Sequence, residues 1–89
     1  MDKKTLRALR RRLVRIDATM AGARWMPGAD GPEAVAEWSR AQDAMGHAER
    51  AIETDDERGA TLSMDSARDA MRRHASIVRR VLAIEGGVR

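Results

Sequence analysis

The sequence predicts an all-α fold: a three-helix, up-down-up antiparallel bundle forming one domain over residues 1–89. Three observations predict it. Apolar residues recur at intervals of three and four in three separate stretches, which places them on one face of a helix. Glycine and proline interrupt the chain around Pro27–Gly31 and at Gly59, where helices are expected to stop. No stretch alternates apolar and polar residues as a half-buried strand does. Two short connections then make sequential helices antiparallel neighbours.

The first helix is expected over about residues 2–23, with Asp2 as its N-cap. Leu6, Leu9, Leu13, Ile16 and Met20, continued by Ala23, form a narrow seam of the coiled-coil kind. Pro27 biases Met26 away from helix, so Trp25–Gly31 reads as a loop. The second helix is expected over about 31–58, capped by Asp30, with Pro32 in its first turn and Glu33 placed as in a capping box. Its seam is Ala34, Trp38, Ala41, Met45, Ala48 and Ile52, widened by Val35 and Ala44, and Gly59 ends it. The third helix is expected over about 63–85, capped by Ser63, with Leu62 stapled against Ala67. Ala67, Ala70, Met71, His74, Ile77, Val78, Val81 and Ile84 share one face, and Gly86-Gly87 is a stop signal.

Composition limits the core. The chain has 89 residues, no Phe, no Tyr and only two Trp. Sixteen of its residues are alanine, which favours helix but buries little apolar area. Self-association through the heptad seams, giving a homo-oligomer, is an expected second way to cover so thin a core. With no Cys, disulfides, thiolate chemistry and Cys-based zinc sites are excluded. No apolar run approaches the roughly 18–20 residues that cross a bilayer, and Met1-Asp2-Lys3-Lys4 does not open a secretory signal. A cytoplasmic location is expected, without membrane contact. Arginine outnumbers lysine 15 to 2 and Asn is absent, a bias of GC-rich coding that points to a bacterial or phage source.

Charge is the main functional signal. Residues 1–24 carry a net +6, residues 25–62 a net −6 and residues 63–89 a net +3. Lys4, Arg7, Arg11, Arg12 and Arg15 spread over the polar side of the first helix, with Val14 projecting among them. Such a face suits phosphates or an acidic protein surface. A bundle also permits internal pairing, because the basic start of helix one would lie beside Glu53-Thr54-Asp55-Asp56-Glu57. That pairing would relieve cations at one helix N-terminus and anions at another's C-terminus. Sequence-specific DNA reading is disfavoured, since no helix-turn-helix turn is present and Trp25 is the sole loop aromatic available for stacking.

Neither histidine belongs to a metal set: His74 falls on the apolar face of helix three and His47 on the polar face of helix two. Trp38 is a core residue, whereas Trp25 can cap the bundle or anchor a partner. No glycine-rich phosphate loop, nucleophile elbow or paired-carboxylate cleft can be written, so no catalytic residue, cofactor or small-molecule substrate is expected. The sequence therefore supports a non-enzymatic binding module for an acidic macromolecule: nucleic acid, a nucleic-acid-bearing complex or an acidic protein face. The partner-binding residues are Lys4, Arg7, Arg11, Arg12, Val14, Arg15 and Trp25. Two alternatives stay open: a small phage or mobile-element protein that inhibits a host machine by protein–protein contact, and a self-associating structural subunit.

Overall fold

In the computed structural model, which describes residues 1–87, three helices follow one another: α1 (Lys3–Arg24), α2 (Pro32–Glu53) and α3 (Glu57–Gly87). No strand occurs among the described residues. The bundle is a rod measuring 55 × 18 × 15 Å. Its directions follow from cross-helix pairs. Glu33 meets Arg80 and Glu37 meets Arg73, so α3 runs back along α2. The Met1 amino group meets Asp55, while the Trp38 indole N–H donates to the Met20 carbonyl, so α1 also runs against α2.

The largest interface joins α2 to α3, and it is built of small side chains. Ala34, Ala41 and Ala48 of α2, with Ala60, Ala67 and Ala70 of α3, are sealed from solvent. Alanine loses no rotamer freedom on burial and lets two helix backbones approach closely. Met64, His74 and Val78 are the largest side chains fully enclosed there. α1 lies against this pair less deeply. Leu9, Met20 and Ala23 are buried, but Leu6, Leu13 and Ile16 keep part of their surface in water. Every residue of the expected α1 seam thus faces inward.

The connection between α2 and α3 departs from expectation. α2 stops at Glu53 and α3 starts at Glu57, so Gly59 lies inside the first turn of α3 rather than after α2. The stop is a Schellman closure: the Asp56 N–H reaches the Ala51 carbonyl at 2.8 Å and the Asp55 N–H reaches Ile52 at 3.2 Å. Asp55 takes the left-handed position usually given to glycine, at φ 60°. The Thr54 hydroxyl adds a bond to the Arg50 carbonyl. Asp56 then caps α3 by accepting from the Gly59 N–H at 2.9 Å, and any Cβ at Gly59 would collide with that carboxylate. Ser63 is consequently mid-helix, and Leu62 is exposed on the outer side instead of stapling to Ala67.

Smaller differences affect the other ends. Asp2 caps α1 as expected, its carboxylate accepting from Thr5 N–H at 2.7 Å. For α2 the cap position is held by Gly31, with no side-chain bond, and Pro32 opens the helix. The intervening loop turns at Gly28, φ 84°, where Val81 and Leu82 of α3 would touch any added Cβ. α3 continues through Gly87, and whatever stop Gly86-Gly87 makes beyond it lies outside the described residues.

Asp55 gives a test of this turn. Holding a non-glycine residue in the left-handed region costs roughly 1–2 kcal/mol, somewhat less for Asp. Asp55→Gly should therefore raise the stability by about 0.5–1 kcal/mol, read from the urea midpoint. A drop would mean that the ion pair from Asp55 to the Met1 amino group outweighs the backbone strain.

Candidate functional site

α1 presents a basic outer face. At 100° per residue, Lys4, Arg7, Arg11, Val14 and Arg15 lie opposite the Leu6–Ala23 seam, and all five are exposed. Arg10 joins them at one edge. The stems of Arg7, Arg10, Arg11 and Arg15 stand around Val14 and enclose a shallow space of about 540 Å³. Val14 is 64% exposed at its centre. Among the described residues no carboxylate pairs with these arginines or with Lys4, whereas Arg40, Arg68, Arg72, Arg73 and Arg80 of α2 and α3 all have one.

Arg12 does not belong to that face. Its helical angle carries it to the flank of the seam, where it is half-buried and bonded to Asp65 of α3 at 2.5 Å. The guanidinium holds the Asp65 carboxyl below the usual carboxylate range. Arg12 is thus internal cement between α1 and α3. The pairing expected between the α1 side chains and Glu53–Glu57 is also absent among the described residues; only the Met1 amino group reaches that segment, at Asp55.

Trp25 follows the last turn of α1 and is 79% exposed, so it does not cap the core. Trp38 is half-buried and ties α2 to α1 through its bond to Met20 at 2.9 Å. The Arg24 guanidinium stands over both indoles, 5.0 Å from the Trp25 ring centre and 5.2 Å from that of Trp38. A cleft of about 390 Å³ opens beside this stack, lined by Trp25, Ala29, Val35 and Trp38, with His74 in its floor.

Two buried titratable groups lie between α2 and α3 near this cleft. His74 is 2% exposed, and burial pushes its imidazole below the ordinary 6.5, opposed by the charge of Glu37. Glu37, also buried, falls between Ala34 and Ala41 on the α2 stripe, a spacing that marks it as inward-facing although it carries a charge. Burial alone would raise its carboxyl, but the hydrogen bond from Arg73 and the charges of Arg40 and Arg73 outweigh it and lower the pKa. Both oxygens are engaged, one by Arg40 and the other by Arg73 Nε at 2.9 Å. Among the described residues no three His, Cys, Asp or Glu side chains are grouped to hold a metal ion, and no helix is long and apolar enough to cross a membrane.

These shifts fix a pH dependence. A histidine whose folded pKa is depressed takes up its proton more readily when unfolded, so stability falls as pH drops below 6.5 towards the folded value. Glu37 and Asp65, both depressed, contribute stability that is present above their unfolded values and lost as pH falls through the folded ones. Chemical denaturation across pH should therefore show one loss beginning below neutrality and a second in the acid range. His74→Leu should leave a folded protein and flatten the first loss. Glu37→Gln should cost about 1–2 kcal/mol at pH 7 and progressively less as pH falls below the unfolded value of 4.5 towards the folded one, because the charge-assisted bond contributes only where the carboxylate is ionised. An unchanged pH profile in both variants would refute the assignment.

Compared with known proteins, the chain matches no family model, no curated relative and no solved structure.

Proposed function

We propose that the protein is a binding module for an acidic macromolecule, engaged through the outer face of α1. One observation carries this reading: Arg7, Arg10, Arg11 and Arg15 stand unpaired over three turns of one helix, around exposed Val14. A solvated face needs neither so dense a set of one charge nor an apolar residue at its centre. Guanidinium groups offer forked donors that suit phosphates and carboxylates, and clustered positive charge steers an anionic partner towards them. The contrast with α3 supports the same reading, because Arg68, Arg72, Arg73 and Arg80 there meet Glu33, Glu37, Asp65 or Asp69, and the remaining Arg58 and Arg79 lie far apart on the helix rather than in a cluster.

The combined Arg7→Gln, Arg11→Gln, Arg15→Gln variant tests it. Glutamine matches arginine closely in helix propensity, so circular dichroism and thermal stability should be nearly unchanged. Affinity for a labelled single-stranded oligonucleotide, or for polyglutamate of equal charge, should fall at least tenfold at low salt. For the oligonucleotide, the dependence of log affinity on log salt should become shallower by about 2, roughly 0.7 for each phosphate that is no longer neutralised. Arg12→Gln is the control: it should lower stability and leave binding unaltered. Wild-type protein that binds neither polymer, or a triple variant that binds as well as wild type, would end the reading.

A further inference from the structure

We propose that the cleft beside Trp25 receives one unpaired nucleobase from a single strand whose phosphates lie along α1; this rests on the reading of α1 as an anion-binding face and names its partner. Trp25 follows Arg7 by eighteen positions, about five turns, and so emerges at the end of α1 on the same side as the arginines. Between Arg15 and Trp25 that side carries Ala18, Ala21 and Gly22, small residues that leave a strand room to pass, with exposed Asp17 at the edge beside Trp25. The distance is about 15 Å along the helix, at 1.5 Å per residue. The basic face and the exposed indole are therefore two ends of one track.

The cleft matches the chemistry of a base. Its volume, about 390 Å³, is in the range of small-ligand sites, and its walls are the two indoles, Val35 and Ala29. A flat ring with polar edges can lie against such walls, and base–indole stacking is tolerant of sequence. The polar groups are few and placed at floor and rim. His74 is 98% enclosed yet has no hydrogen-bond partner among the described residues, and no fully buried polar side-chain atom is left unsatisfied. His74 lines the cleft, so an imidazole edge without a partner of its own is available there to a base edge. Asp30 and Ser39 at the rim offer acceptors to ring N–H or amino groups, and Arg24 supplies a cation at the mouth for the adjoining phosphate. An acidic peptide fits less well, because its aliphatic stems would gain little from two indole faces.

The test uses the full chain, its tryptophan fluorescence, and a dT oligonucleotide of about 12 nucleotides beside an abasic strand with the same number of phosphates. Binding of dT should quench the fluorescence and be about tenfold tighter than binding of the abasic strand. Trp25→Ala, at a position too exposed to threaten the fold, should lower dT affinity about tenfold and leave abasic affinity unchanged. Trp25→Phe should restore most of the loss. His74→Leu should weaken dT binding and spare the abasic strand. An abasic strand held as tightly as dT, while the α1 arginine variants still weaken both, would overturn the base pocket and leave the phosphate face standing. Thymidine monophosphate binding as tightly as the strand would also overturn it, making the cleft a free-nucleotide site. Polyglutamate binding where dT does not would identify an acidic protein partner and remove the proposal.

Discussion

Close contact between two alanine-lined helices is the constraint on which the rest of the molecule depends. Because the α2–α3 interface contains so little side-chain volume, the backbones approach and the pair forms a slender ridge rather than a wide core. Few large apolar groups remain to be covered. α1 can then lie along the ridge with a single narrow seam, leaving most of its circumference in solvent. A bulkier core would have required a second apolar stripe on α1, at the expense of the arginine face. Composition and surface are thus two sides of one arrangement.

Charge is distributed by the same logic. Five arginines of α2 and α3, Arg40, Arg68, Arg72, Arg73 and Arg80, face carboxylates across a narrow interface or along their own helix, and Arg73 and Arg80 tie the hairpin together. Individually such exposed pairs contribute little, about 0–1 kcal/mol. Glu37 differs because it is enclosed, and its two guanidinium partners keep it ionised where burial alone would favour the neutral acid. α1 contributes a single arginine, Arg12, to this network. The others meet no carboxylate of their own chain among the described residues, which is why an outside anion is the natural complement.

The sequence is legible where periodicity decides and opaque where a single residue breaks a rule. All six α1 seam positions face inward, because a 3-4 repeat leaves no other face for burial, and the α2 and α3 stripes follow the same rule except at Val35 and Ile84, which are exposed. The α2–α3 turn escapes notice because its left-handed position is held by Asp55 rather than glycine, while Gly59, the obvious stop, sits in a helix to make room for Asp56. A signal is present in Asp56 three residues before Gly59, an ordinary cap spacing. Arg12 is legible too, since its helical angle differs from that of Arg11 by 100° and points towards a neighbour. Glu37 sits squarely on the apolar stripe and is hidden only by the assumption that a charged residue faces water. The cleft cannot be read from sequence at all. It joins a loop, α2 and α3 through residues as far apart as Trp25 and His74, and no local spacing carries that information.

The unequal interfaces also set how the molecule breathes. α2 and α3 share the extensive interface, whereas α1 is held by a partly wet seam, the Arg12–Asp65 pair and the Trp38–Met20 bond. Local opening begins where the fewest apolar groups are buried, so α1 is the layer that detaches first while the hairpin persists. Its amides should exchange with solvent through this partial opening, ahead of those at the middle of α2 and α3. The arginine face therefore rides on the most weakly anchored element, and an anion spanning several of its turns would act as a splint. Protection of α1 against exchange then becomes a measure of occupancy that needs no label on either partner.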